Sequence, residues 1–186
     1  MPDDNKKSLR IVCLGDSITY GFPWGPTVSW VQMLGDALGC EVINKGINGN
    51  TTGDMLQRFD RAVLKNDPTH LVIMGGINDV VLGESFDRIV WNLHEMVDKA
   101  LAAGIKVILG LPTAVDNEYW EKLITRIRQW MKNYAQEIGL SLIDFPAAFY
   151  DQYGQLRTDL LLADGAHPDT SGYKEMFKQI DLSLFD

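Results

Sequence analysis

Short runs rich in Val, Ile and Leu alternate with longer runs whose apolar residues recur at helical spacing. This alternation restricts the fold more than any other feature of the chain. The strand candidates are residues 9–14, 41–44, 70–74, 106–111 and 141–144. Most are apolar at nearly every position, the pattern of parallel strands covered on both faces. Phe86, Ile89, Val90, Leu93, Val97 and Leu101 keep helical spacing, as do Trp120, Leu123, Ile124, Ile127, Trp130, Met131, Tyr134 and Ile138. Shorter helical patterns cover residues 28–38, 53–64 and 171–184. Such βαβα alternation predicts a parallel sheet with helices on both faces. Five strands suit a flavodoxin-like three-layer α/β/α sandwich, because a barrel needs more chain.

The chain has 186 residues, which fits a tail over residues 1–8 and a single domain over residues 9–186. Apolar residues make up 46% and charged residues 23%, so the chain can build a core without disulfides or metals. Its net charge is −8, which disfavours nucleic acid or an anionic membrane surface as a partner but permits a neutral or lipid-like small molecule. The two cysteines, Cys13 and Cys40, are too few for a disulfide framework, and Cys13 reads as a small buried hydrophobe. The first residues lack the pattern of a signal peptide, and no apolar run approaches the roughly 18 residues of a membrane span. A cytoplasmic protein with no membrane insertion is therefore expected. The sequence leaves the oligomeric state open.

In open α/β sheets ligands bind beyond the carboxyl ends of the strands. Gly15-Asp16-Ser17-Ile18-Thr19 follows the first strand and Lys45-Gly46-Ile47-Asn48-Gly49-Asn50-Thr51 the second. Gly75-Gly76-Ile77-Asn78-Asp79 follows the third, and Asp164-Gly165-Ala166-His167-Pro168 lies in the long stretch after the fifth. Singly, each segment has a plain structural reading. Ser17 suits a helix N-cap or turn, the glycines tight turns, and Asn78 and Asp79 an Asx-turn or helix cap. Asp164 beside a proline suits an Asp-turn. Together they offer the parts of acyl transfer. Ser17 is a candidate nucleophile, His167 its base, and Asp164 the group that orients the imidazole. The Ser17 N–H, the Gly49 N–H and the Asn78 amide are candidate oxyanion donors. Of the other histidines, His70 starts a strand at the far end of the sheet, and His94 lies in a helix beside its apolar stripe.

In identity, order and placement the four segments resemble the blocks of the SGNH, or GDSL, hydrolase family. Gly15-Asp16-Ser17 resembles the first block, Gly49 the glycine of the second, Gly76-Ile77-Asn78-Asp79 the third, and Asp164-Gly165-Ala166-His167 the fourth. The resemblance runs from about Leu9 to the C-terminus. It implies a flavodoxin-like fold and metal-free, cofactor-free hydrolysis of acyl esters, with Asp16 and Asp79 as supporting motif residues. The layout is most similar to short bacterial members that act as lysophospholipases, thioesterases, arylesterases or carbohydrate deacetylases. Small or soluble acyl esters are the expected substrates, since no long insertion is available as a lid. Phe22, Trp24 and Val80 are candidate pocket residues, although turn or core packing accounts for them equally well. A non-catalytic binding module on the same fold is the reading from a different class, and intact Ser17, Asp164 and His167 argue against it.

Overall fold

The computed structural model describes residues 8–186, so most of the expected tail lies outside the described residues. Five parallel strands form one sheet: β1 (Arg10–Gly15), β2 (Glu41–Gly46), β3 (His70–Met74), β4 (Lys106–Gly110) and β5 (Ser141–Ile143). Their order is β2-β1-β3-β4-β5, the flavodoxin-like arrangement. The connecting helices are α1 (Ser17–Tyr20), α2 (Trp30–Leu38), α3 (Thr52–Gln57), α4 (Phe59–Ala62), α5 (Ile77–Leu82), α6 (Phe86–Ala102), α7 (Glu118–Ile138) and α8 (Thr170–Lys178). Helix α2 packs against α8, whereas α3 and α7 pack against α6. The sheet lies between helical layers, as the alternation of apolar runs predicts.

Burial follows strand position. Ile11 to Leu14 of β1 and Leu71 to Ile73 of β3 are fully buried, which accounts for their unbroken apolar sequence. Strand β2 lies at an edge and stays half-exposed, so Glu41, Asn44 and Lys45 are tolerated there. The long helices start on side-chain caps: Ser85 accepts from Arg88 N–H at α6, and Asn117 accepts from Trp120 N–H at α7.

The pattern over residues 53–64 does not form one helix. It breaks at Arg58 into α3 and α4 and ends in a 3-10 turn at Leu64–Asn66. Arg58 carries its guanidinium to backbone carbonyls at the ends of two strands. The pattern over residues 171–184 stops as α8 at Lys178. A separate 3-10 turn, Leu182–Phe185, then begins where Asp181 accepts from Ser183 N–H.

Register places the chemistry at one end of the sheet. Gly15 lies opposite Gly46 on one side and Met74 on the other, so the first three blocks leave the sheet at the same height. At the other end His70 pairs with Lys106, whose Nζ donates to the Asp186 carbonyl at 2.8 Å. Among the described residues no helix is long and apolar enough to cross a membrane.

Candidate active site

Ser17 is held by the way β1 ends. Asp16 leaves the strand in an extended conformation, and its Oδ1 accepts from Ile18 N–H at 2.9 Å, capping α1. Ser17 is therefore the first residue of that helix, nearly buried beneath the sheet edge. Helix α1 stops after one turn because Gly21 takes a left-handed conformation, φ 103°, and returns its N–H to Ser17 O. A side chain at Gly46 would bring its Cβ within 2.2 Å of the Tyr20 nitrogen. Glycine there lets the end of β2 press against α1. Burial pushes the Asp16 carboxyl up from 3.8 to about 6, and the Ile18 N–H and His167 only partly oppose it.

His167 and Asp164 form a closed local turn. Asp164 Oδ1 accepts from the Ala166 and His167 N–H groups at 2.9 and 3.0 Å, and its Oδ2 lies 2.6 Å from His167 Nδ1. Burial alone would raise the Asp164 carboxyl. The two backbone donors and the imidazole outweigh it and hold the carboxyl below its ordinary range. An ionised carboxylate only accepts, so Nδ1 carries the proton and Nε2 is free to accept. Ser17 Oγ lies 2.8 Å from that Nε2. The turn is tied down by Leu162 N–H on His167 O at 2.8 Å and by Asp116 N–H on Gly165 O at 2.6 Å. Phe22 packs its ring on His167, with centroids 4.5 Å apart, while its carbonyl accepts from the fully buried Tyr173 hydroxyl.

The expected oxyanion donors lie around the same strand ends. Gly49 has φ 77°, a left-handed conformation that favours glycine, and it lies in an exposed loop. Among the described residues neither the Gly49 nor the Ser17 N–H finds an acceptor within the chain. Asn78 donates one amide hydrogen to Asn50 O at 2.9 Å, which orients the group and leaves the other hydrogen available. Asp79 turns inward, fully buried, and accepts from the Thr52 N–H and hydroxyl; Asn92 in turn donates to Thr52 Oγ1. Burial raises the Asp79 carboxyl while the Thr52 donors oppose it. Asp79 thus ties the start of α3 to the start of α5.

The candidate pocket residues separate. Phe22 touches His167, and Trp24 is 43% exposed with its edge against Tyr173. Val80 is buried and lines a cavity of about 40 Å³ with Phe86, Ile89, Leu123 and Ile127, between helices. Asn78 of the third block therefore goes to the strand end, while Val80, just after the block, goes into the packing. His70 is buried at the far end of the sheet, and His94 sits exposed on α6 beside Asp98 and Glu95. That trio shares no element with Ser17, Asp164 or His167.

Sequence spacing did not single out Arg58, Asn50, Tyr173 or Asp116. Each acts across elements far apart in the chain, and no local pattern reports such contacts.

Residues 13–175 match the GDSL-like lipase/acylhydrolase family. An acetylxylan esterase from Geobacillus stearothermophilus is 30% identical over 161 residues, 78% of this chain and 73% of its own. The esterase TesA from Pseudomonas aeruginosa is 26% identical over 175 residues, 91% of this chain and 85% of its own. A solved G-D-S-L family structure from Desulfitobacterium hafniense superposes with TM-score 0.85 at 30% identity, covering 91% of this chain and 96% of that one. The chain therefore belongs to the GDSL-like lipase/acylhydrolase family and is a carboxylic ester hydrolase.

Proposed function

We propose that the protein cleaves small or soluble acyl esters through Ser17, His167 and Asp164 by way of an acyl-enzyme. The observation that carries this reading is the unbroken chain from Ser17 Oγ to His167 Nε2, 2.8 Å, and from Nδ1 to Asp164, 2.6 Å. His167 takes the Ser17 proton as Oγ attacks the acyl carbonyl. The tetrahedral oxyanion accepts from the Ser17 N–H, the Gly49 N–H and the Asn78 amide. Collapse expels the alcohol, which leaves with the proton from His167. Water then attacks the acyl-enzyme, giving its proton to His167, and the carboxylic acid departs with Ser17 restored. Asp164 stabilises the imidazolium in both halves.

The open surroundings of the relay support small or soluble esters: the Asp164 side chain is 44% exposed. The Geobacillus relative is an acetylxylan esterase, which favours acetyl groups and makes an acetylated sugar one candidate. The net charge of −8 also favours an uncharged ester over nucleic acid.

A fluorophosphonate probe and a panel of p-nitrophenyl esters of increasing chain length test the reading. Ser17 is expected to be labelled. Ser17→Ala should lose the label and roughly 10³-fold or more of kcat. Full turnover by Ser17→Ala would remove the serine from the mechanism. Activity should peak at acetyl and fall with chain length. A long-chain optimum would move the substrate to the lysophospholipase or thioesterase class.

A further inference from the structure

Arg58 joins three separate segments of the chain. Its Nη2 donates to Gly15 O and to Lys45 O, both at 2.9 Å, and its Nε donates to Asn50 Oδ1 at 2.7 Å. These acceptors belong to three different segments. Gly15 ends β1 two residues before Ser17, Lys45 stands next to last in β2, and Asn50 follows Gly49. The carbonyl of the same Asn50 receives the Asn78 amide. One guanidinium therefore touches the supports of every expected oxyanion donor. Among the described residues no carboxylate forms an ion pair with Arg58. Burial, and then Arg61, push the guanidinium pKa down and Asp54 only partly opposes them, so a half-buried cation held by carbonyls in place of an ion pair is costly for stability alone.

Resting on the reading above, we propose that Arg58 is a positioning residue that holds the Gly49 loop, the Ser17 turn and Asn78 at the spacing an oxyanion requires. The planar fork suits the task. Three acceptors in different directions need separate N–H groups with fixed angles, which a single ammonium does not supply. The fold itself has other support at these points. Strands β1 and β2 pair over their whole length, and Gly15 O also accepts from Ile47 N–H at 3.2 Å. What Arg58 adds is the placement of the loop relative to the strand ends. Oxyanion donors are sensitive to such placement, because loss of one costs about 10²–10³ in kcat.

The test compares Arg58→Gln, Arg58→Lys and Asn50→Ala with the parent, using p-nitrophenyl acetate and circular dichroism. Arg58→Gln should lower kcat by roughly 10–100-fold with KM within about threefold. Arg58→Lys should recover only part of the loss. Asn50→Ala, a change on a loop that leaves Arg58 its strand-end acceptors, should fall between Arg58→Lys and the parent. A double-mutant cycle with Asn78→Ala supplies a readout that general bracing would not move. If Arg58 works through the donors, its loss in the Asn78→Ala background should shrink several-fold. Additive losses, or kcat within twofold of the parent in the folded Arg58 variants, would overturn the proposal. Should Arg58→Gln fail to fold, Arg58→Lys and Asn50→Ala carry the same test. Fluorophosphonate labelling of Ser17 in the parent separates this outcome from failure of the serine mechanism.

Discussion

Asp16 does two things that pull against each other. Its carboxylate caps the helix that begins at Ser17, yet it is almost fully buried and its pKa is pushed up to about 6. A carboxyl whose folded pKa lies above its unfolded value binds its proton more tightly in the native state. Its contribution is favourable at low pH and is lost as pH rises from about 4 through about 6. Asparagine keeps the acceptor for Ile18 N–H without the charge. Asp16→Asn should therefore gain stability relative to the parent between pH 4 and pH 7.5, with a ceiling of about 3 kcal/mol. Denaturant unfolding at the two pH values checks this, and an equal difference at both would contradict it. Residues of this kind were legible because the first three blocks are short and follow strands β1, β2 and β3, whereas Asp164 and His167 were marked by their own i, i+3 spacing. Phe22 was legible only in part: the sequence marked it as a wall of the site, but its ring contact with His167 depends on folding of a distant loop.

Among the elements, helix α7 and the segment before it show how a loop is fixed from behind. Arg128, buried on α7, donates to the carbonyls of Pro112 and Thr113 and pairs with Glu121, which also accepts from Val115 N–H and the Tyr150 hydroxyl. Burial alone would raise Glu121, but Arg128 and these donors hold it below the ordinary carboxylate range. That loop ends at Asp116, whose N–H holds Gly165 in the turn with His167. Arg128→Met should cost about 3–5 kcal/mol, because it leaves a carboxylate and two carbonyls without their partner. Adding Glu121→Leu should recover part of that loss, as measured by chemical unfolding. The long elements were readable in the sequence because apolar periodicity over many residues is unambiguous. Helices α1 and α5, which carry Ser17 and Asn78, span four and six residues and are too short to display a period. The break at Arg58 was hidden for another reason: the bonds that accompany it run to β1 and β2.

Across the molecule, one apolar cluster runs from Ile11 in β1 to Phe185 near the C-terminus. Such continuity predicts that residues 9–186 unfold together. The ellipticity of the helices and the reactivity of Ser17 toward a fluorophosphonate should disappear in the same denaturant interval. Two separated transitions would divide the chain into independent units. Strand order was not readable from spacing, since apolar runs identify strands without saying which neighbours they pair with. The order observed, β2-β1-β3-β4-β5, is the one that belongs to the flavodoxin-like class expected from the alternation of strands and helices.

The contact between Lys106 Nζ and the Asp186 carbonyl anchors Asp186 at the amino ends of the strands, whereas Ser17 stands at the carboxyl ends. Attachment to a bead, an electrode or a carrier protein through Asp186 would turn the reactive end away from the support. Molecules tethered there should keep nearly the ester turnover of the free protein, whereas a randomly oriented layer would lose part of it.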